Sequence, residues 1–235
     1  MDSLIILDSS SYEKSEDFTV EFKKPIRVHE NSKLALKSMS MWVSWHNITS
    51  ENNTFKYFEN GQWQTVVIEN GNYTLRELNN FLVKLFGVND PPIQFGIHFA
   101  TTRFIIRLDP GYRIDLSHGK LHELLGFEPQ IYQNSEQTGK YIANISRGVD
   151  DIHIHCDIIG GVHYNDLTSD ILYSFTPSHP PGSLIKIDEI NPSFAAVNQN
   201  RFISRIRMRI TDQNENLIDL NKQRVVYRLI LRNKE

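Results

Sequence analysis

The chain has 235 residues, 40% of them hydrophobic and 23% charged, with a formal net charge of −3. Such a composition suits a soluble globular protein with a sizeable core, and all-β chains of this length often form one unit. The single cysteine, Cys156, excludes an internal disulfide framework, and no apolar run nears the roughly 18 residues of a membrane-spanning helix.

The first fourteen residues, MDSLIILDSSSYEK, hold a short apolar run without the basic flank or the length of a secretory signal. The chain is therefore expected to stay inside the cell that makes it. The sequons at Asn47, Asn52, Asn72 and Asn144 are then expected to be unused. Phe18, Val20 and Phe22 alternate with polar residues as one strand does, and Pro25 marks a break or a sheet edge because it cannot donate to a ladder. His29-Glu30-Asn31-Ser32 reads as a turn. In the next strand Leu34 and Leu36 share a face, but the apolar positions then slip to Met39 and Met41. A one-residue slip flips the faces, so a bulge near Ser38 is expected.

Residues 54–58 and 63–68 read as strands joined by Asn60-Gly61, a strong hairpin signal. Thr74-Leu75-Arg76-Glu77 is a capping box, and Leu75, Leu78, Leu82, Leu85 and Phe86 follow at helical spacing until Gly87. Strands are expected at 93–99 and 103–108, and a short helix at 118–125 stopped by Gly126. Beyond residue 139 the pattern returns to strands, at 141–145, 152–159, 170–175, 184–190, 202–211 and 225–232, with loops at 176–182 and 191–200. About ten strands and one or two helices predict an all-β fold, a single jelly-roll β-sandwich over residues 1–235 with the helices inserted between strands.

The chemistry-bearing motifs are few. His153, His155 and Asp157 share one face of a strand, and His-x-His on a strand resembles cupin metal sites. The outer two of the three lie about 13 Å apart at ~3.3 Å per residue, so the row alone cannot hold one ion. Two of them could with help from elsewhere, His163 being the nearby candidate, and the glutamate a cupin places a few residues later is absent. A polar strand face packed on a neighbour is the favoured reading, and no metal or cofactor is assigned. Cys156 faces the opposite way, among Ile152, Ile154 and Ile158, as a buried inert thiol. No phosphate loop, zinc motif or nucleophile elbow occurs, so no catalytic residue is assigned.

Charge is uneven: residues 201–235 carry nine Lys/Arg against four Asp/Glu, inside an acidic whole. Arg205, Arg207 and Arg209 alternate with Ile206, Met208 and Ile210, and Arg228 lies on the returning strand. If the two strands pair, these arginines form one basic patch, a candidate contact with an acidic surface of a neighbouring subunit. Without interleaved exposed aromatics the row is a poor signal for nucleic acid, and no specific nucleic acid is expected.

Four stretches in this order carry a resemblance: FTVEFKKPIRVHENSKLALKSMSMW (18–42), NYTLRELNNFLVKLF (72–86), KLHELLGF (120–127) and SRIRMRITDQNENLIDLNKQRVVYRLILR (204–232). Together they resemble the penton-type minor capsid proteins of Polinton (Maverick) transposons and their relatives, the adintoviruses and virophages. In that family an N-terminal strand pair precedes a Tyr-started helix, a Leu-Leu-Gly-Phe turn and a C-terminal hairpin. Glu215-Asn216 stand where a glycine is typical of the hairpin turn, and Lys-Leu-Ala-Leu-Lys replaces the commoner Trp-Glu-Val-Ala-Leu. The resemblance implies a single jelly roll that forms a homopentamer at the vertices of an icosahedral capsid, beside a double jelly-roll major capsid protein, in the virion and without catalysis. Two readings compete with it: a jelly-roll module binding carbohydrate or a host receptor, and a cupin-like metalloprotein.

Overall fold

The computed structural model describes residues 2–143, 149–198 and 202–233. The sequon at Asn144, the end of the strand expected at 141–145 and the end of the loop expected at 191–200 lie outside the described residues.

The chain opens with β1 (Asp2–Asp8), β2 (Asp17–Arg27) and β3 (Lys33–Trp42). It continues through β4 (Thr54–Glu59), β5 (Gln62–Val67), α1 (Leu75–Phe86), β6 (Ile93–His98), β7 (Arg103–Leu108), β8 (Arg113–Asp115), α2 (Leu121–Leu125), β9 (Ile131–Tyr132) and β10 (Glu136–Thr138). Then follow β11 (Ile152–Cys156), β12 (Ile159–Gly160), β13 (Val162–Tyr164), β14 (Leu167–Ser169), β15 (Ile171–Phe175), β16 (Leu184–Asp188), β17 (Ala195–Val197), β18 (Phe202–Asp212) and β19 (Val226–Arg232). The fold is an all-β jelly-roll sandwich with two short helices between strands, as expected. Residues 141–143 form no strand. Strand β1 had read only as a short apolar run.

The chain gathers its contacts in two compact units, residues 1–45 with 149–235, and residues 46–148. The division follows the apolar residues, which bury themselves in two separate clusters.

The first unit is a sandwich of two antiparallel sheets, beside which β13 and β14 pair as a separate hairpin. One has the order β1-β19-β3-β17-β12, with β16 also on β3; the other has the order β15-β11-β18-β2. Their inward faces share one core, with Ile5, Leu7, Leu34, Leu36, Met39, Met41, Leu229 and Leu231 from the first sheet and Phe18, Ile152, Ile154, Cys156, Ile206, Met208 and Ile210 from the second. The slip in β3 is absorbed where expected. Arg228 pairs with Ser38 and Leu229 with Leu36, so Lys37 is the extra residue of a bulge and both Leu36 and Met39 stay buried. Pro25 lies on β2, an edge strand, where the register with β18 jumps from Glu21 opposite Arg205 to Ile26 opposite Ile203. The turn before β3 closes through Ser32, whose N–H donates to the His29 carbonyl and whose Oγ accepts from the His29 N–H at 2.8 Å.

Two expected pairings do not form. β2 and β3 run in opposite sheets rather than as an N-terminal pair, and β18 and β19 do the same at the C-terminal end. The connection between β18 and β19 is not a simple turn: it buries Ile218, Leu220 and Val225 in the core, and that burial draws the chain from one sheet to the other.

The second unit holds the sheets β5-β4-β8-β9 and β10-β7-β6 with both helices. The hairpin between β4 and β5 has a two-residue loop with Asn60 at φ 50 and Gly61 at φ 83, a type I′ turn whose twist suits the strands. The capping box closes α1 in both directions, Glu77 N–H to Thr74 Oγ1 at 3.3 Å and Thr74 N–H to Glu77 Oε2 at 2.7 Å. Gly87 ends the helix at φ 68 and Gly126 ends α2 at φ 75. Leu78 and Leu82 reach the core, while Asn79 bonds both polar groups of Phe95 on β6, at 2.8 and 2.9 Å.

Candidate functional site

The outward face of β18 carries Arg205, Arg207 and Arg209, because Ile206, Met208 and Ile210 take the inward positions. Two of the three are matched within the chain. Arg207 makes a two-point ion pair with Asp17 on β2, Nε to Oδ1 at 2.7 Å and Nη2 to Oδ2 at 2.6 Å. That guanidinium holds the Asp17 carboxyl below the usual carboxylate range. Arg209 Nη2 lies 3.2 Å from an oxygen of Asp170. Arg205 sits opposite Glu21 in the ladder, is exposed, and makes no ion pair among the described residues.

Arg228 belongs to β19 and so to the other sheet; it shares no patch with the β18 arginines in the way that paired strands would have required. Its neighbour in register is Ile6 on edge strand β1. Ile6 and Leu4 are 57% and 60% exposed, whereas Ile5 and Leu7 fill the core. One sheet thus offers an outward arginine among exposed aliphatics, and the other an outward arginine without an ion-pair partner among the described residues.

The histidines expected on one face of β11 are indeed together, and they are buried, each with 1% of its surface exposed. Their side of β11 is covered by polar groups. His155 Nδ1 lies 2.6 Å from Asp170 Oδ1, and its Nε2 lies 2.9 Å from Thr211 Oγ1 and 3.4 Å from Glu215 Oε2. His153 Nδ1 lies 3.3 Å from Glu215 Oε1, and its Nε2 lies 3.3 Å from Asp151 Oδ2. The ring of Tyr164 meets His153 edge-on at 4.9 Å. The hydrogen bond from His155, together with the nearby positive charge, pulls the Asp170 carboxyl down to about 2 against the opposing effect of burial. Asp157 stands apart from this group, with its Oδ1 accepting from the Arg207 N–H at 2.8 Å.

Glu215, which sequence reasoning left out of the group, reaches both histidines from the turn after β18. Asp212 builds that turn: its Oδ1 accepts from the N–H groups of Asn214 and Asn216 at 2.8 and 2.9 Å. Its carbonyl accepts from Glu215 N–H at 3.1 Å. Within this frame Glu215 adopts φ 64, a left-handed backbone that side chains other than glycine rarely take. Ligand-capable atoms of His153, His155 and Glu215 all lie within 4.8 Å of one another. His163 is exposed and is not among them. Cys156 is fully buried among the core aliphatics, as expected, and burial pushes its thiol up to about 12, out of reach of ordinary thiolate chemistry.

In the second unit a cavity of about 430 Å³ is lined by His122, Phe127, Glu128, Pro129, Tyr141 and Ile142. Of the three tryptophans, Trp42 and Trp63 are about two-fifths exposed, and Trp63 packs edge-on against Phe58 at 5.4 Å.

No protein-family model matches the chain, and no curated protein matches it. Among solved structures it is similar to the penton protein of mavirus, with a TM-score of 0.52 at 11% sequence identity over 100% of both chains. At that identity the likeness is one of fold, and it runs from end to end of the chain.

Proposed function

We propose that the chain is a penton subunit of an icosahedral capsid: a non-catalytic structural protein that closes into a homopentamer at the vertices and resides in the virion. The observation that carries this reading is the structural likeness to the mavirus penton protein, which covers the full length of both chains. Four sequence stretches spread along the chain resemble the same class. A vertex subunit also has to meet the surrounding shell, and the partner there is a double jelly-roll major capsid protein.

In a closed ring each subunit presents two different surfaces to its two neighbours. The sandwich offers two that differ in chemistry. One is the outward face of β1 and β19, with Leu4, Ile6 and Arg228; exposed aliphatics beside a charge are the usual composition of a contact surface. The other is the outward face of β18, with Arg205 exposed and Arg207 and Arg209 already held by Asp17 and Asp170. Arg205 and Arg228 are therefore the candidates for contact with a neighbour, while Arg207 and Arg209 brace the sheet that carries them.

The test is the mass in solution, by light scattering at two protein and two salt concentrations. A particle of five times 27.3 kDa is expected. A single-chain mass under every condition, joined by failure to enter particles on co-expression with a double jelly-roll major capsid protein, overturns the reading.

A further inference from the structure

We propose that His153, His155 and Glu215 form a binding site for one divalent transition-metal ion of the zinc class. The inference does not rest on the capsid reading: its ligands lie in the first unit, and Thr211 and Arg209 on the outward face of β18 enter it only through contacts within the chain.

A neutral imidazole carries one N–H and one lone pair. His153 faces a carboxylate oxygen at each nitrogen, 3.3 Å away on both sides, so a neutral ring can serve only one of them. His155 faces Asp170 at Nδ1 and both Thr211 and Glu215 at Nε2. A positive charge between the two rings and Glu215 resolves both conflicts. It lets each ring turn a lone pair inward and donate its remaining N–H outward, from His153 Nε2 to Asp151 and from His155 Nδ1 to Asp170. A ligating histidine whose other nitrogen is held by a carboxylate is the recurrent second layer of protein metal sites. Here both histidines have it.

The spacing fits as well. Zinc takes nitrogen and carboxylate oxygen at about 2.0–2.2 Å, which sets ligand-to-ligand edges of roughly 3.3–3.5 Å in a tetrahedron. Glu215 stands close to both rings, Oε1 3.3 Å from His153 Nδ1 and Oε2 3.4 Å from His155 Nε2, and one ligand atom from each of the three residues lies within 4.8 Å of the others, so a small inward turn of the side chains closes the set on one ion. Thr211 Oγ1, 2.9 Å from the same Nε2, borders the place of a fourth donor. Charge closes around one ion. Of the three carboxylates at the site, Asp170 is offset by Arg209, and the two that remain match a doubly charged cation. Two imidazoles and one carboxylate favour zinc and its neighbours over calcium or magnesium, which seek oxygen. The backbone agrees: Glu215 is held at φ 64 by the Asp212 turn, and in that conformation its side chain is delivered to both rings.

The experiment is calorimetric titration of the chelator-treated full chain with zinc chloride at neutral pH, followed by loading with cobalt(II) chloride. Expected are one zinc ion per chain with submicromolar affinity, a raised unfolding midpoint in the presence of zinc, and cobalt absorption bands of tetrahedral intensity without thiolate charge transfer. The key variant is Glu215→Gly, since glycine is at ease at a positive φ and the fold is kept while a ligand is lost. It should weaken zinc at least 100-fold and abolish the shift in midpoint. Asp151→Asn, which loosens only the outer layer, should weaken it about 10- to 100-fold. Lack of saturable one-per-chain uptake by the unaltered chain overturns the proposal, in favour of a proton shared among these groups. So does undiminished affinity in Glu215→Gly, which would place the ion elsewhere.

Discussion

Arg207 and Arg205 lie two residues apart on the same face of β18, yet they stand in different circumstances. Arg207 is matched by Asp17, and Arg205 has no ion-pair partner among the described residues. If the proposed pentamer forms, Arg205→Glu is therefore expected to weaken it at least tenfold by light scattering and to change the stability of the single chain by no more than about 0.5 kcal/mol, as for an ordinary surface exchange. Arg207→Glu should instead act on the monomer, because it sets a second carboxylate beside Asp17, with a loss of about 1 kcal/mol. The same pair sets a pH response. Asp17 titrates below its ordinary value of 3.8 in the folded chain, so the unfolded chain takes up the proton first as the pH falls. The stabilisation is complete above about pH 4 and fades as the pH drops through the lower folded value. Asp17→Asn should lose less stability than the unaltered chain between pH 6 and pH 3 in urea titrations. At this scale the sequence identifies the donors but not their partners. Two histidines on one strand are visible in IHIHCD, whereas Glu215 is sixty residues further on and approaches only because of where the turn after β18 folds.

Single elements were legible wherever their cause is local. The capping box of α1 is written in Thr74 and Glu77, its stop in Gly87, and the first hairpin of the second unit in Asn60-Gly61. Thr74→Ala should cost about 1 kcal/mol, read from the urea unfolding of the full chain by helix-sensitive circular dichroism. The bulge at Lys37 was legible too, from the slip between Leu36 and Met39. Deleting Lys37 removes the extra residue and leaves Leu36, Ser38 and Met39 in plain alternation, so Met39 and Met41 keep their buried places and a folded protein is expected from that deletion. Met39→Ala should instead cost about 2–5 kcal/mol in urea unfolding, because it empties a buried place. Strand partners were not legible. β2 and β3 look like a pair, as do β18 and β19, because they are neighbours in sequence with turn residues between them. The choice of sheet is decided by burial of Ile218, Leu220 and Val225 between the latter two, and alternation within a strand carries no information about that.

For the whole molecule, the boundary at residues 45 and 148 leaves no mark in composition: neither Pro/Gly-rich linkers nor a charge run announces it. It is visible only in the segregation of buried side chains, where Ile48, Phe55, Leu78, Leu82, Ile106 and Phe127 form one set and Leu34, Met41, Ile154, Met208 and Tyr227 another. A fragment of residues 46–148 is accordingly expected to unfold cooperatively by itself, with dispersed amide resonances; a spectrum of a collapsed, unstructured chain would refute that. The pairing of β1 with β19, Asp2 opposite Arg232 through Asp8 opposite Val226, has a consequence for synthesis. At about 5–20 residues per second, a ribosome needs upwards of roughly ten seconds after making the first of these strands before it makes the second. Through that interval β1 has no ladder partner, and well before it ends every core residue of the second unit is outside or near the exit tunnel. The order of birth is thus insert first and sandwich last. A nascent chain cut short before β19 presents bare sheet edges to chaperones and proteases.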